Sequence, residues 1–391
     1  MKLGMPHIMV FVVLTHTSYG AARLTGTLYA LSNGASAFTV GVQLALFALV
    51  PALLAVRAGR WIDSTGPFRP LLLGVALMTA GALLPALFPY EVADIAPLLV
   101  ASALLGTGFM YVQITAQHLV GTLAAPDRRP AAFSMLALAF STSGLIAPVA
   151  SGFLIDSVGH RPTLGGVFVL LSLSLAVLLL QRTRLPAPGR RQVSSEPSNA
   201  FDLLRQHEVR RVLIVSGMIS MAWDLQSFLI PVRGTRIGLT ASEIGLVLGS
   251  FALATFVIRL TMPALSRRYR EWQVLVFTLI TSGAAFGLMP LFTAVAPLMV
   301  VMFMLGLGLG AAQPNVMSLL HERSPEGRVG EALGLRTIVM NSSHIVLPLV
   351  FGAFGTVLGT SPAFSLMGAA LVGGGWSAHR WTRNEAPRSG R

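Results

Sequence analysis

The chain has 391 residues, of which 54% are hydrophobic and only 11% charged, with a mean hydropathy of +0.72. Soluble domains carry roughly 25% charged residues, so the composition excludes a soluble globule and requires a membrane protein. The net charge of +13 would suit a nucleic-acid binder, and the lack of cysteine excludes disulfides and cysteine-ligated metals.

A helix rising about 1.5 Å per residue needs around 20 mostly apolar residues to cross roughly 30 Å of hydrocarbon. Twelve such runs follow one another, near 6–30, 38–57, 70–89, 97–120, 131–154, 164–181, 212–231, 242–264, 272–291, 296–320, 332–355 and 363–379. The first begins MKLGMPHIMVFVVLTHTSYGAARL, a basic start and apolar run that would also suit a secretory signal. Its apolar pattern continues to Ala30, so a helix is expected. His16, Tyr19 and Arg23 fall at i, i+3 and i+7, on one face of it. GRWIDSTGPFR, Gly59 to Arg69, follows the second run and is expected as a loop. Gln113 and Gln117 share a face of the fourth run, and the fifth contains SGLIAPVASG, Ser143 to Gly152.

From Gln181 to Arg211 the chain turns polar and rich in Pro, Ser and Arg, which reads as a linker. The expected division is therefore an N-terminal bundle at 1–181, a linker at 182–211 and a C-terminal bundle at 212–391. Within the seventh run, ISMAWDLQSF places Asp224 in apolar surroundings, with Gly217, Ser220 and Ser227 at the same helical spacing. Gln313 and Asn315 flank Pro314 in the tenth run, and Asn341 and His344 share a face of the eleventh. His118 and Arg259, nearer the helix ends, are expected to be structural.

With the N-terminus in the cytoplasm, most of the 28 basic residues fall on the cytoplasmic side. Arg57, Arg60 and Arg69 lie in one inner loop, Arg267, Arg268 and Arg270 in another, and only Arg161, Arg233 and Arg236 in outer loops. This positive-inside bias accounts for the charge without a nucleic-acid partner. It predicts a multi-pass protein with both termini cytoplasmic, and a bacterial inner membrane is the expected location.

The halves also align with each other. GASAFTVGVQLALFA from Gly34 matches GLTASEIGLVLGSFA from Gly238, with Gly41 on Gly245 and Phe47 on Phe251. Gly106, Gly108 and Gln113 fall on Gly306, Gly308 and Gln313; Pro148, Gly152, Gly159 and Pro162 fall on Pro348, Gly352, Gly359 and Pro362. Two similar halves suit rocking about a central site.

Twelve helices, the six-plus-six repeat, and Gly59, Asp63, Gly66 and Arg69 after helix 2 together resemble the major facilitator superfamily, in its bacterial efflux-type branch. The resemblance covers essentially the whole chain, although Ser64 replaces a basic residue of the motif and Pro67 and Phe68 also depart from it. It implies an all-α membrane protein of two pseudo-symmetric six-helix bundles. It further implies that Asp63 latches the cytoplasmic ends of helices 2 and 11, facing the helix that begins near Glu331, whose free amides carry partial positive charge. SGLIAPVASG is similar to the helix 5 motif of superfamily exporters, with Ala147 and Ser151 replacing glycines around Pro148 and Gly152. Small residues at that spacing also let helices pack closely, and both readings stand.

Ionisable residues inside spans point to function. In the family's fold helices 1 and 7 line a shared cavity, and the repeat sets Asp224 against Gly20, one turn from Arg23. A pair between Asp224 and Arg23 is expected. Burial favours the neutral acid and a guanidinium the carboxylate, so an aspartate whose partner comes and goes can carry a proton, with His16 a second candidate carrier. Arg23, Tyr19, Gln113, Gln117, Ser220, Ser227, Gln313, Asn315, Asn341 and His344 are the expected cavity lining.

A phosphate-binding Walker loop needs a lysine, and the only one is Lys2, so an ion gradient or the substrate's own gradient supplies the energy; protons fit best, with sodium the alternative ion. No catalytic motif such as H-E-x-x-H or G-x-S-x-G occurs, and no enzyme, metal site or cofactor is expected. The expected function is proton-coupled export of a small organic or amphipathic compound by a monomer. The alternative is import of a small organic anion bound by Arg23. Its expected partners are that small molecule, protons and membrane lipids.

Overall fold

The computed structural model describes residues 5–88, 95–124, 129–180, 182, 200–265, 268–325 and 329–385. Twelve long helices account for nearly all of them: α1 (Met5–Ser32), α2 (Ala37–Thr65), α3 (Phe68–Leu87), α4 (Ala96–Leu123), α5 (Arg129–Val158), α6 (His160–Leu180), α7 (His207–Arg236), α8 (Ala241–Leu265), α9 (Glu271–Leu288), α10 (Val295–Arg323), α11 (Val329–Leu358) and α12 (Ser361–Glu385). Among the described residues there is no strand. Helices are what hydrocarbon demands, since each satisfies its own backbone polar groups. Ten of the twelve contain a stretch long and apolar enough to cross a membrane. The exceptions, α1 and α12, are diluted by the Thr15–Tyr19 run and Arg23 and by the polar turns after Trp376. Large apolar side chains face outward, Leu53, Leu180, Val300 and Val357 among them, as in a protein solvated by lipid.

Each apolar run is found as a helix, and most helices run past it. The motif expected as a loop is the clearest case: α2 continues through Trp61 and Ile62 to Thr65, and only Gly66 and Pro67 separate it from α3. Gly66 ends α2 at φ 76°, its N–H bonded to Ile62 O at 3.0 Å. Arg233, expected in an outer loop, lies inside α7 and is buried. The end of the expected linker is ordered too, as a 3-10 turn at Ala200–Arg205 followed by α7 from His207; residues 183–199 lie outside the described residues.

The chain forms two compact units, Met1–Ser194 with Gly234–Gly249, and Ser195–Arg233 with Ser250–Arg391. In the first, α1 packs on α5 and α6, and α3 packs on α4 and α6. In the second, α9 packs on α10 and α12, repeating the arrangement of α3. The aligned residues recur in the geometry. Gly34 and Gly238 share φ 81°, and Gly159 and Gly359 adopt φ 90° and 81°, the left-handed region open to glycine. Gly106 lies against the Phe47 carbonyl, and Gly306 against that of Phe251.

Candidate functional site

On α7, Ser216, Ser220 and Asp224 follow one another at i, i+4 and i+8 and are all buried. Ser220 Oγ donates to Ser216 O at 2.9 Å, so this hydroxyl is held by its own helix. Asp224 is 4% exposed, and its Oδ1 lies 2.7 Å from His344 Nδ1 of α11. That distance is within hydrogen-bond range. Asp224 Oδ2 is buried without a hydrogen-bond partner. The His344 side chain is 36% exposed, against 4% for Asp224. The sequence pairs Asp224 with Arg23, a residue of the other unit; within its own unit Asp224 contacts His344.

Two helical turns earlier on both helices, Arg336 Nε donates to Ser216 Oγ at 3.0 Å. Since 216 and 224 match 336 and 344, α7 and α11 run side by side in the same direction. Gly217 lies between the two contacts, where a Cβ would meet Val339 at 3.0 Å. Arg336 is buried and was missed in the sequence, because near the start of an apolar run it reads like any arginine at a helix end. Arg233 was misread for the same reason. It donates to Pro290 O and Phe292 O, each at 3.0 Å, and to Ser361 Oγ at 3.4 Å, clamping the end of α7.

In the first unit, His16 sits among aromatic rings, 5.1 Å from Phe109 and 5.0 Å from Phe140, with Nδ1 buried and unpartnered. Tyr19 stacks on Phe109 at 3.9 Å and meets Phe47 edge-on at 5.6 Å. Trp223 meets Phe251 edge-on at 5.0 Å, the same contact at the repeat-related position. Arg23 is half-buried.

The amides are dispersed in role. Gln113 and Asn341 are half-buried, and Gln117 and Gln313 are exposed. Asn315 is buried and donates to Ala311 O at 2.7 Å. Ser227 Oγ donates to Trp223 O and accepts from Gln226 Nε2 at 2.8 Å. Gln226 was not singled out in the sequence, yet it is buried with Oε1 unpartnered. Gly59 lies within α2 and Arg69 is exposed in the first turn of α3. The side chains of Asp63 and Glu331 lie outside the described residues, and with them the proposed latch.

The helix 5 motif forms a packing seam in the first unit. Gly152 abuts the Ala241 carbonyl and Gly245 abuts that of Pro148, so α5 and the start of α8 touch backbone to backbone. Beyond the seam, both Asp156 carboxylate oxygens accept amide protons from the first turn of α8, Oδ1 from Ala241 N at 3.1 Å and Oδ2 from Ser242 N at 2.7 Å. An acid there satisfies free donors and complements the helix dipole. Asp156→Ala is expected to cost about 1 kcal/mol, as loss of a helix cap does, read as a lower unfolding midpoint of the purified protein; Asp156→Asn, which keeps one acceptor, falls between.

No group of three or more His, Cys, Asp or Glu side chains gathers as for a metal among the described residues.

These features define a multi-pass membrane protein of twelve long helices, built from a repeated unit and carrying a carboxyl–imidazole contact between two of its spans. The sequence pattern of the Major Facilitator Superfamily matches residues 8–232 and again 212–391, so the chain belongs to that superfamily and is a transporter, not an enzyme. It is 27% identical to a putative sugar efflux transporter of Deinococcus radiodurans, covering 96% of this chain and 98% of that one. It is 20% identical to multidrug resistance protein 1 of Bacillus subtilis, over 88% and 85% of the two chains. Among solved structures, a POT family transporter in complex with a thioalcohol-conjugated peptide superposes with a TM-score of 0.78 at 14% identity, over 98% of this chain and 97% of that one. At that identity the likeness concerns the fold.

Proposed function

We propose that the protein is a proton-coupled secondary transporter that works by alternating access and exports a small organic or amphipathic compound across a bacterial inner membrane. Its six-helix halves, 1–181 and 212–391, rock about the joining segment 182–211, with both termini in the cytoplasm. The observation that carries this reading is the Asp224–His344 pair, an acid and a base in contact within membrane-spanning helices.

A carboxylate alone in a span costs about 3 kcal/mol. When the pair holds its proton, the imidazolium compensates Asp224 and the helices can close over it. Without the proton, the carboxylate keeps its charge and needs water. The empty carrier therefore resets only when protonated, while substrate drives the other half of the cycle. Export is the direction suggested by the names of both curated relatives, an efflux transporter and a multidrug resistance protein.

The test is purified protein in vesicles with an imposed pH gradient, incubated with a mixed panel of metabolites and drugs. Proton influx against compound efflux is expected, abolished by an uncoupler. Flux unaffected by the gradient would remove the proton from the mechanism, and accumulation along the direction of proton flow would reverse the proposed direction.

A further inference from the structure

Among the described residues two arginines are buried in the second unit, and they are treated differently. Arg233, 7% exposed, donates to two backbone carbonyls and a hydroxyl. Arg336, 8% exposed, donates through Nε to the neutral Ser216 hydroxyl, and no carboxylate among the described residues stands within ion-pair distance of it. Removing a cation from water costs several kcal/mol unless an opposite charge or a full set of acceptors replaces the hydration. A guanidinium offers five N–H donors in a planar fork. In Arg336 the hydrogen bond described uses one of them, Nε–H, to Ser216.

A structural arginine has little reason to be left so. In Arg233 the carbonyls do what a structural role requires, and they would do it at Arg336 if packing were its purpose. Arg336 also lies along the same pair of helices as the Asp224–His344 contact, eight residues away on each, or about 12 Å along the axes. Ser216 holds the guanidinium by Nε, which leaves the edge bearing Nη1 and Nη2 for a ligand.

We propose that Arg336 is a substrate-binding residue and that the transported compound is a small organic anion, its carboxylate, sulfonate or phosphate received by the open edge of the guanidinium. The assignment rests on reading α7 and α11 as part of the transport path. It narrows the cargo from amphipathic compounds in general to those with an anionic head. Planar oxyanions suit the site because two parallel N–H···O bonds match their geometry. Ser216 is a positioning residue, fixing the plane of the fork.

The experiment is equilibrium binding to purified protein without a membrane gradient, at constant ionic strength, followed by the fluorescence of its five tryptophans and by the unfolding midpoint. The probes are benzoate, benzenesulfonate and phenyl phosphate, with benzyl alcohol and benzylamine as neutral and cationic counterparts. Saturable binding of at least one anion is expected, with no response to benzyl alcohol or benzylamine. Arg336→Gln should abolish it. Arg336→Lys keeps the charge but loses the fork and should weaken it about tenfold, and Ser216→Ala should weaken it less. Because Arg336→Lys and Ser216→Ala preserve the charge, the ranking stands even if Arg336→Gln fails to fold.

Equal binding of all five probes, binding unchanged in Arg336→Lys and Ser216→Ala, or no anion binding to the wild type would each overturn the assignment. Its failure is separable from that of the transport reading. A wild type that binds benzoate but moves nothing on a pH gradient refutes proton coupling alone, and one that pumps neutral compounds while ignoring anions refutes Arg336 alone.

Discussion

Asp224→Asn is expected to abolish uphill transport while leaving downhill exchange intact. Asparagine keeps the shape of the side chain and a hydrogen bond to His344, but it neither gains nor loses a proton. A gradient of one pH unit stores about 1.4 kcal/mol per proton, a tenfold concentration ratio. Wild-type vesicles should reach about tenfold accumulation per coupled proton and the variant a ratio near one, while exchange of labelled for unlabelled substrate continues in both. If the variant concentrates substrate as well as the wild type, the coupling proton resides elsewhere, and His16 is the next residue to test.

His344 sharpens the same prediction. Removing it leaves Asp224 buried with neither oxygen paired, a loss of about 3–5 kcal/mol when one member of a buried pair is deleted. His344→Gln should therefore destabilise the protein more than Asp224→Asn does. The double variant should recover part of that loss, since neighbouring sites in one contact are not additive. Unfolding midpoints of the four proteins complete the cycle.

What the sequence could reveal follows the range of each interaction. Helix positions were legible because the crossing length of a membrane is a local constraint, written in runs of about 20 apolar residues. Helix ends were not, because a helix continues for as long as its backbone is satisfied, whatever the hydrocarbon boundary; GRWIDST stays in α2 and ends only at the positive φ of Gly66. Asp224 stood out as a charge in an apolar run, and His344 as a polar residue on an apolar helix. Their contact depends on the register between α7 and α11, separated by more than a hundred residues, and nothing local encodes it. The repeat alignment points to Arg23, because it compares positions and carries no distances. Arg336 had a local signal, an arginine inside GLRTIVMN, but near the start of a span nothing local separates it from an arginine at a helix end. Duplication was the most legible feature of all: Phe47 and Gly106 make one contact, Phe251 and Gly306 make it again, and Tyr19 and Trp223 present their rings to the same two phenylalanines.

Gly106→Ala is expected to lower the unfolding midpoint by several degrees, against the usual effect of the substitution. Within a helix, alanine is favoured over glycine by about 1 kcal/mol. At Gly106, however, a Cβ would overlap the Phe47 carbonyl of α2. That obstacle is backbone, so no rotamer change relieves it, and α2 and α4 must separate. Overpacking of a close contact costs about 1–3 kcal/mol, enough to reverse the sign, and α2 would lose neighbouring contacts as it moves. Gly306→Ala meets the Phe251 carbonyl in the same way and should lose a similar amount. The control is Gly144→Ala in α5, where a Cβ meets nothing within 4 Å and helix propensity alone should raise the midpoint. Were all three variants to shift it alike, backbone contact at the repeated glycines would not be what holds these helices together. A loss at Gly106 and Gly306 with a gain at Gly144 would place the stability of each half in the same duplicated crossing.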